Sequence, residues 1–296
     1  MTGHEEYFQI TYYLLGGVNA GETELPAGTH TYPFTCALPP TLPSSFEGEH
    51  GHVRYTVKMT LDRPWKFDQD TKMAFTVISP VDLNKIERLR EPHKLVLEKT
   101  FCCFCCASAP LTVVVALPVT GYVSGQTIPL LAEIDNASNV NVEKIKFLFR
   151  KNLAFHTMAP RMTKRDVKII GELAIGPFNK SEQRTVKQTL DIPPLPPSNL
   201  DNCGIIDLHY DLQVICEVSG LHSNLEGVIP ITLGTVPLSG YQPQAPANQS
   251  IDFTTMPTQP VSPDNVGGAV GWNMADGNQL YPNIRKFVVY LSYVRF

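Results

Sequence analysis

No apolar run in this 296-residue chain reaches the length of about 18 that a membrane-crossing helix needs. Strong charge of either sign is also missing. A net charge of -4 gives no electrostatic reason to expect nucleic acid as a partner. No long stretch repeats apolar residues at the helical period. The N-terminus, Met1-Thr2-Gly3-His4-Glu5-Glu6, lacks the basic region and apolar core of a signal peptide. Spaced cysteine pairs are absent too. Of seven cysteines, four crowd into Cys102, Cys103, Cys105 and Cys106, which is no disulfide framework and reads as a reducing, cytoplasmic chain. The eight histidines are scattered. No Ser-His-Asp, Cys-His or paired-carboxylate set is legible, so no catalytic residue, cofactor site or metal site is expected and the chain is read as a non-enzyme.

What is present is a strand pattern, and it occurs twice. Val53, Tyr55, Val57, Met59 and Leu61 alternate with Arg54, Thr56, Lys58 and Thr60. Such period-two alternation predicts a strand with one buried and one wet face. Ahead of it stands the corner Pro39-Pro40-Thr41-Leu42-Pro43-Ser44. About 155 residues later Pro193-Pro194-Leu195-Pro196-Pro197-Ser198 precedes an alternating run of Ile206, Leu208, Tyr210, Leu212, Val214, Cys216 and Val218. In this reading Pro39, Pro40, Pro43 and Ser44 coincide with Pro193, Pro194, Pro197 and Ser198. Val57 and Tyr210 are expected in cores, with Lys58 and Asp211 exposed. Recurrence makes each corner part of the fold rather than a ligand for a proline-reading domain.

Turn signals at sandwich spacing and no helical period predict an all-β chain with two tandem immunoglobulin-like sandwiches. The expected divisions are a partial sandwich over 1–80, a connector over 81–110, a second sandwich over 111–236 and a tail over 237–296. Asp82 to Glu91 reads as a short helix capped by Asp82, or as an extended connector. The tail, rich in Pro, Gln, Asn, Gly, Ser and Thr, cannot bury enough surface to offset its ordering entropy and reads as disordered. Its end breaks that pattern, because Phe287-Val288-Val289-Tyr290-Leu291-Ser292-Tyr293-Val294 is β-prone and uncharged. Eighty-two residues run from Leu111 up to Pro193, but only 38 from Met1 up to Pro39. The shortfall is roughly four strands. The first sandwich is therefore either a short form or one in which the chain starts midway. Its open edge invites an intruding strand, for which Phe287 to Val294 is the candidate.

The stretches Leu25-Pro26-Ala27-Gly28-Thr29-His30-Thr31-Tyr32-Pro33-Phe34, Pro43-Ser44-Ser45-Phe46-Glu47-Gly48, Asp62-Arg63-Pro64-Trp65 and Gly121-Tyr122-Val123-Ser124-Gly125-Gln126 carry a resemblance to the α-arrestins, the arrestin domain-containing branch of the arrestin fold. Gly271-Trp272-Asn273 and Leu280-Tyr281-Pro282-Asn283 resemble the family's tail. The resemblance implies an adaptor that binds membrane-protein cargo, receptors or transporters, and links it to ubiquitin ligases, endocytosis and sorting. It implies a cytoplasmic location, peripheral to the plasma membrane and endosomes. The first strands of the family's N-terminal domain are missing. So is its Pro-Pro-x-Tyr motif, which weakens the ligase link and leaves an expected competitor of ligase-recruiting relatives. A structural subunit of an endosomal sorting coat, like retromer's arrestin-like component, remains the alternative, as does a cell-surface immunoglobulin-like module.

Four sites are weighed beside these. Cys102, Cys103, Cys105 and Cys106 read as a partly buried hinge, with lipidation the alternative and zinc a poor fit to two adjacent pairs. Trp65 reads as a core residue at a strand end, and Arg63 is left open between a structural and a domain-holding role. The basic run Arg161, Lys164, Arg165 and Lys168 reads as a solvated loop, although the same charges suit an anionic lipid surface or a phosphorylated receptor tail.

Overall fold

The computed structural model describes residues 3–19, 21–63, 65–103, 106–158, 160–241 and 286–292. It divides into two compact units, one built on His4–Val77 with the C-terminal strand, the other on the chain from Ile78.

The first unit opens with β1 (Ile10–Gly16), a ribbon of β2 (Phe46–Glu47) and β3 (His52–Val53), then β4 (Tyr55–Asp62) and β5 (Gln69–Phe75). Its core centres on Tyr55, which no solvent reaches and which lies between Phe8 and Phe75 at ring distances of 6.0 and 5.9 Å. Leu61 anchors a second cluster with Leu14, Leu15, Leu25, Tyr32 and Met59. The alternation expected of β4 is blurred, since Val57 is only half-buried while Thr60 is buried and donates to Asp70 at 2.7 Å.

The stretch expected as a connector holds more structure than its sequence suggested. Leu83–Lys85 and Glu87–Arg90 are 3-10 turns, and Asp82 caps the first by accepting the Asn84 N–H at 3.0 Å. Next come β6 (His93–Lys99), the short β7 (Cys102–Cys103) and β8 (Cys106–Ala107), which pair with each other, and β9 (Leu111–Leu117). β6 is a sheet strand of the second unit, hydrogen-bonded along its length to β9.

The second unit continues with β10 (Gly121–Val123), β11 (Thr127–Asn136), β12 (Val142–Met158), β13 (Arg161–Ile175), β14 (Glu182–Asp191), β15 (Ile206–Val218) and β16 (Leu225–Gly234). One sheet runs β14-β11-β9-β6, the other β10-β16-β15-β12-β13. Every second residue of β15 from Ile206 to Val218 is buried, and Leu111, Val113, Val115 and Leu117 of β9 are equally enclosed. Each such side chain contributes about 1.5–3 kcal/mol of transfer free energy.

β17 (Lys286–Ser292) lies between β1 and β4 and gives the first unit a sheet ordered β1-β17-β4-β5. The β-prone end of the chain therefore does enter the first unit's sheet, but between two strands and not along the open edge that the sequence suggested.

The two proline corners repeat in detail, one residue away from the alignment of their prolines. Tyr55 donates its hydroxyl proton to the Pro43 carbonyl at 2.6 Å, and Tyr210 donates to the Pro196 carbonyl at 2.9 Å. The Ser45 N–H donates to the Val77 carbonyl and its hydroxyl accepts the Val77 N–H, at 2.8 and 2.9 Å. Ser198 and Leu233 make the same reciprocal pair at 2.8 and 2.7 Å. Pro43 thus corresponds to Pro196 and Ser45 to Ser198. The hydrogen-bonding role of each carbonyl fixes the register, which the prolines alone do not.

Candidate interaction surfaces

β13 is fifteen residues long and ends its sheet, with β12 its one strand neighbour among the described residues. Residues 161–165 and 167–169 are exposed, Met162, Val167 and Ile169 among them. This is an open row of backbone donors and acceptors with apolar and basic side chains along it. Arg161, Lys164, Arg165 and Lys168 lie here, on a strand and not in the loop their sequence suggested. A register shift at Phe149/Arg150 sets Lys168 opposite Lys151. Burial, then the Lys168 charge, holds the Lys151 ammonium below the usual lysine range.

The outward face of β12 and β15 is a ladder of charge-assisted bonds. The Arg150 guanidinium donates to both Asp211 carboxylate oxygens, at 2.7 and 2.9 Å, and to the Gln213 side-chain oxygen at 2.6 Å. The Asn152 amide donates to Asp211 at 2.9 Å. His156 lies 2.7 Å from Asp207 and Lys146 lies 2.6 Å from Glu217. The Lys146 ammonium in turn holds the Glu217 carboxyl below its ordinary range. Asp211, expected to be exposed, is half-buried because its carboxylate closes this network. The face is satisfied within itself, so β13 is the better candidate for a partner.

Trp65 is 96% exposed, not a core residue. It has φ of 60° in the turn between β4 and β5, and the Arg63 guanidinium closes that turn by donating to the Phe67 carbonyl at 2.6 and 3.1 Å. Arg63 thus has a local structural role, and Trp65 and Phe67 stand out from the turn it orders. Of the clustered cysteines, Cys102, Cys103 and Cys106 belong to the β7–β8 ribbon, and Cys105 lies outside the described residues. Among the described residues no group of His, Cys, Asp and Glu is arranged to hold a metal ion, and no helix is long and apolar enough to cross a membrane.

Cys216 is fully enclosed, and burial pushes its thiol up to about 12. Since the thiolate is the reactive form, iodoacetamide at pH 8 leaves Cys216 unmodified in the folded chain and modifies it after denaturation. Peptide mass spectrometry reads the difference.

Comparison with known proteins adds a family to this geometry. The family model described as the N-terminal domain of arrestin, or S-antigen, matches residues 1–84, and that of the C-terminal domain matches residues 107–238. Arrestin domain-containing protein 17 of Caenorhabditis elegans is 34% identical over 220 residues, covering 73% of this chain and 50% of that protein. Arrestin domain-containing protein 4 of Mus musculus is 31% identical over 274 residues, covering 90% of this chain and 65% of that protein. Arrestin domain-containing protein 1 of Mus musculus is 30% identical over 212 residues, covering 71% and 47%. The chain thus spans from about half to just under two thirds of the length of these relatives.

Proposed function

Because this chain belongs to the family of arrestin domain-containing proteins, we propose that it is a non-enzymatic adaptor that binds cytoplasmic segments of membrane proteins and directs their endocytosis, sorting or ubiquitination. The observation that carries this reading is the open outer half of β13. A cargo segment in extended form adds to it as a further strand. Backbone hydrogen bonds supply affinity, and the side chains along the edge supply selection. Met162, Val167 and Ile169 offer apolar contact, and Arg161, Lys164, Arg165 and Lys168 favour an acidic or phosphorylated segment. The chain works in the cytoplasm at plasma and endosomal membranes. Acylation at Cys102, Cys103, Cys105 or Cys106 would add a membrane anchor. No Pro-Pro-x-Tyr lies within these 296 residues, so this stretch of chain offers a WW domain no such motif to read.

The test is binding to a panel of receptor and transporter cytoplasmic tails. Each exposed ion pair contributes about 0.5 kcal/mol. Reversing three charges, Arg161→Glu, Arg165→Glu and Lys168→Glu, therefore weakens an acidic tail about tenfold at unchanged melting temperature. Unchanged affinity for every tail that binds would refute this reading.

A further inference from the structure

β17 is hydrogen-bonded on both sides. Val289 stands opposite Tyr12 of β1 and Met59 of β4, and Leu291 opposite Ile10 and Val57. Both neighbours run antiparallel to it. Remove it, and two facing strands each lose a full row of partners for their N–H and C=O groups. Yet it has no short connection to either neighbour, since 44 residues separate Tyr241 from Lys286.

The second unit shows what usually occupies such a place. The Tyr55–Pro43 and Ser45–Val77 bonds correspond to Tyr210–Pro196 and Ser198–Leu233. They equate β4 with β15, and the chain leaving β5 with that at the end of β16. The order β1-β17-β4-β5 then matches β13-β12-β15-β16, every pair antiparallel in both. β17 holds the position of β12. But only two residues separate the end of β12 at Met158 from the start of β13 at Arg161, whereas β17 arrives from the far end of the sequence. Between β1 and β4 the only strands among the described residues, β2 and β3, pair with each other.

We propose that the channel between β1 and β4 is a strand-acceptor site and that β17 occupies it as a detachable donor. Its ligand class is a seven-residue extended segment with backbone donors on both edges, which this chain supplies as Lys286-Phe287-Val288-Val289-Tyr290-Leu291-Ser292. The same segment from a second copy, or as a free peptide, replaces it. Because β17 belongs to the same chain as its acceptor, it competes as an intramolecular ligand, at an effective concentration well above that of a separate peptide at micromolar protein. The chain's own strand therefore wins at micromolar protein, and exchange becomes visible once the tether is cut.

The experiment uses the full chain with a protease site placed between Tyr241 and Lys286. After cleavage, a fluorescent synthetic peptide of residues 286–292 is added in about hundredfold excess. Occupancy is read by native mass spectrometry, and amide exchange is followed at β1 and β4. The expected result is that the labelled peptide replaces the cleaved fragment, and that β1 and β4 amides are slow to exchange only while one of the two is bound. A peptide carrying Val289→Pro, which lacks the N–H at the centre of the segment, does not enter. Retention of slow exchange at β1 and β4 after the fragment has left would overturn the proposal. So would a fragment that stays bound and admits no labelled peptide, or equal entry of the proline peptide. None of these readouts depends on whether β13 binds cargo.

Discussion

Tyr210→Ala lowers the stability of the second sandwich by about 4 kcal/mol, the largest effect expected of a single substitution in this chain. The side chain is 2% exposed, and its ring stacks on Phe149 at 5.7 Å and 24°. Its hydroxyl reaches the Pro196 carbonyl and so ties β15 to the proline corner. Truncation removes the packing of an aromatic ring, opens a cavity that the enclosed neighbours Leu208 and Leu212 cannot close, and frees the corner. Against a domain stability of about 5–15 kcal/mol, this moves the melting of that domain down by on the order of 10–15 °C. Tyr210→Phe separates the two parts. It keeps the ring and loses one hydrogen bond, at about 1 kcal/mol. Calorimetry of the intact chain resolves both, provided the two units melt separately. Equal losses for the two variants would show that the ring is not what holds the corner.

Asp211→Ala is the second large effect, at about 2 kcal/mol. The carboxylate accepts two bonds from Arg150 and one from Asn152, and the Arg150 and Asp211 side chains are only 19% and 16% exposed. Its removal leaves a largely dehydrated guanidinium without its counter-charge, which costs more than the pair itself contributes. The partial exposure keeps the figure below the 3–5 kcal/mol of a fully buried pair. The double variant Arg150→Met, Asp211→Leu removes both charges and recovers most of the loss. If the single and double variants melt alike, the pair acts through packing rather than charge.

β15 was legible because its two faces meet different surroundings. Its alternation survives from Ile206 to Val218, with Ile215 alone breaking the outward face. The outer half of β13 gave no such signal. An edge strand wet on both sides carries no period, so Arg161 to Lys168 read as loop. β6 was hidden in a similar way. Lys94, Glu98 and Lys99 made His93–Lys99 look like a linker, although Leu95 and Leu97 mark its inward side. Trp65 was misplaced because its hydrophobicity argues for a core, while Arg63-Pro64 before it and Lys66 and Asp68 after it argue for a turn, and the turn won. The β-propensity of the C-terminal segment was legible. Its register between β1 and β4 was less so, because pairing across more than 200 residues leaves no local periodicity to read. Of the candidate site, the sequence showed the charges on β13 but not that they line an open sheet edge.

The most direct test of the central claim is amide hydrogen exchange on the intact chain, with and without saturating amounts of the tightest-binding cytoplasmic tail from the receptor and transporter panel. Strand addition at β13 predicts slowed exchange concentrated in residues 161–169 on that sheet edge, with β6 and β14 unchanged. Protection that falls elsewhere while β13 stays as fast as in the free chain, or a panel in which no tail binds at all, would contradict the account.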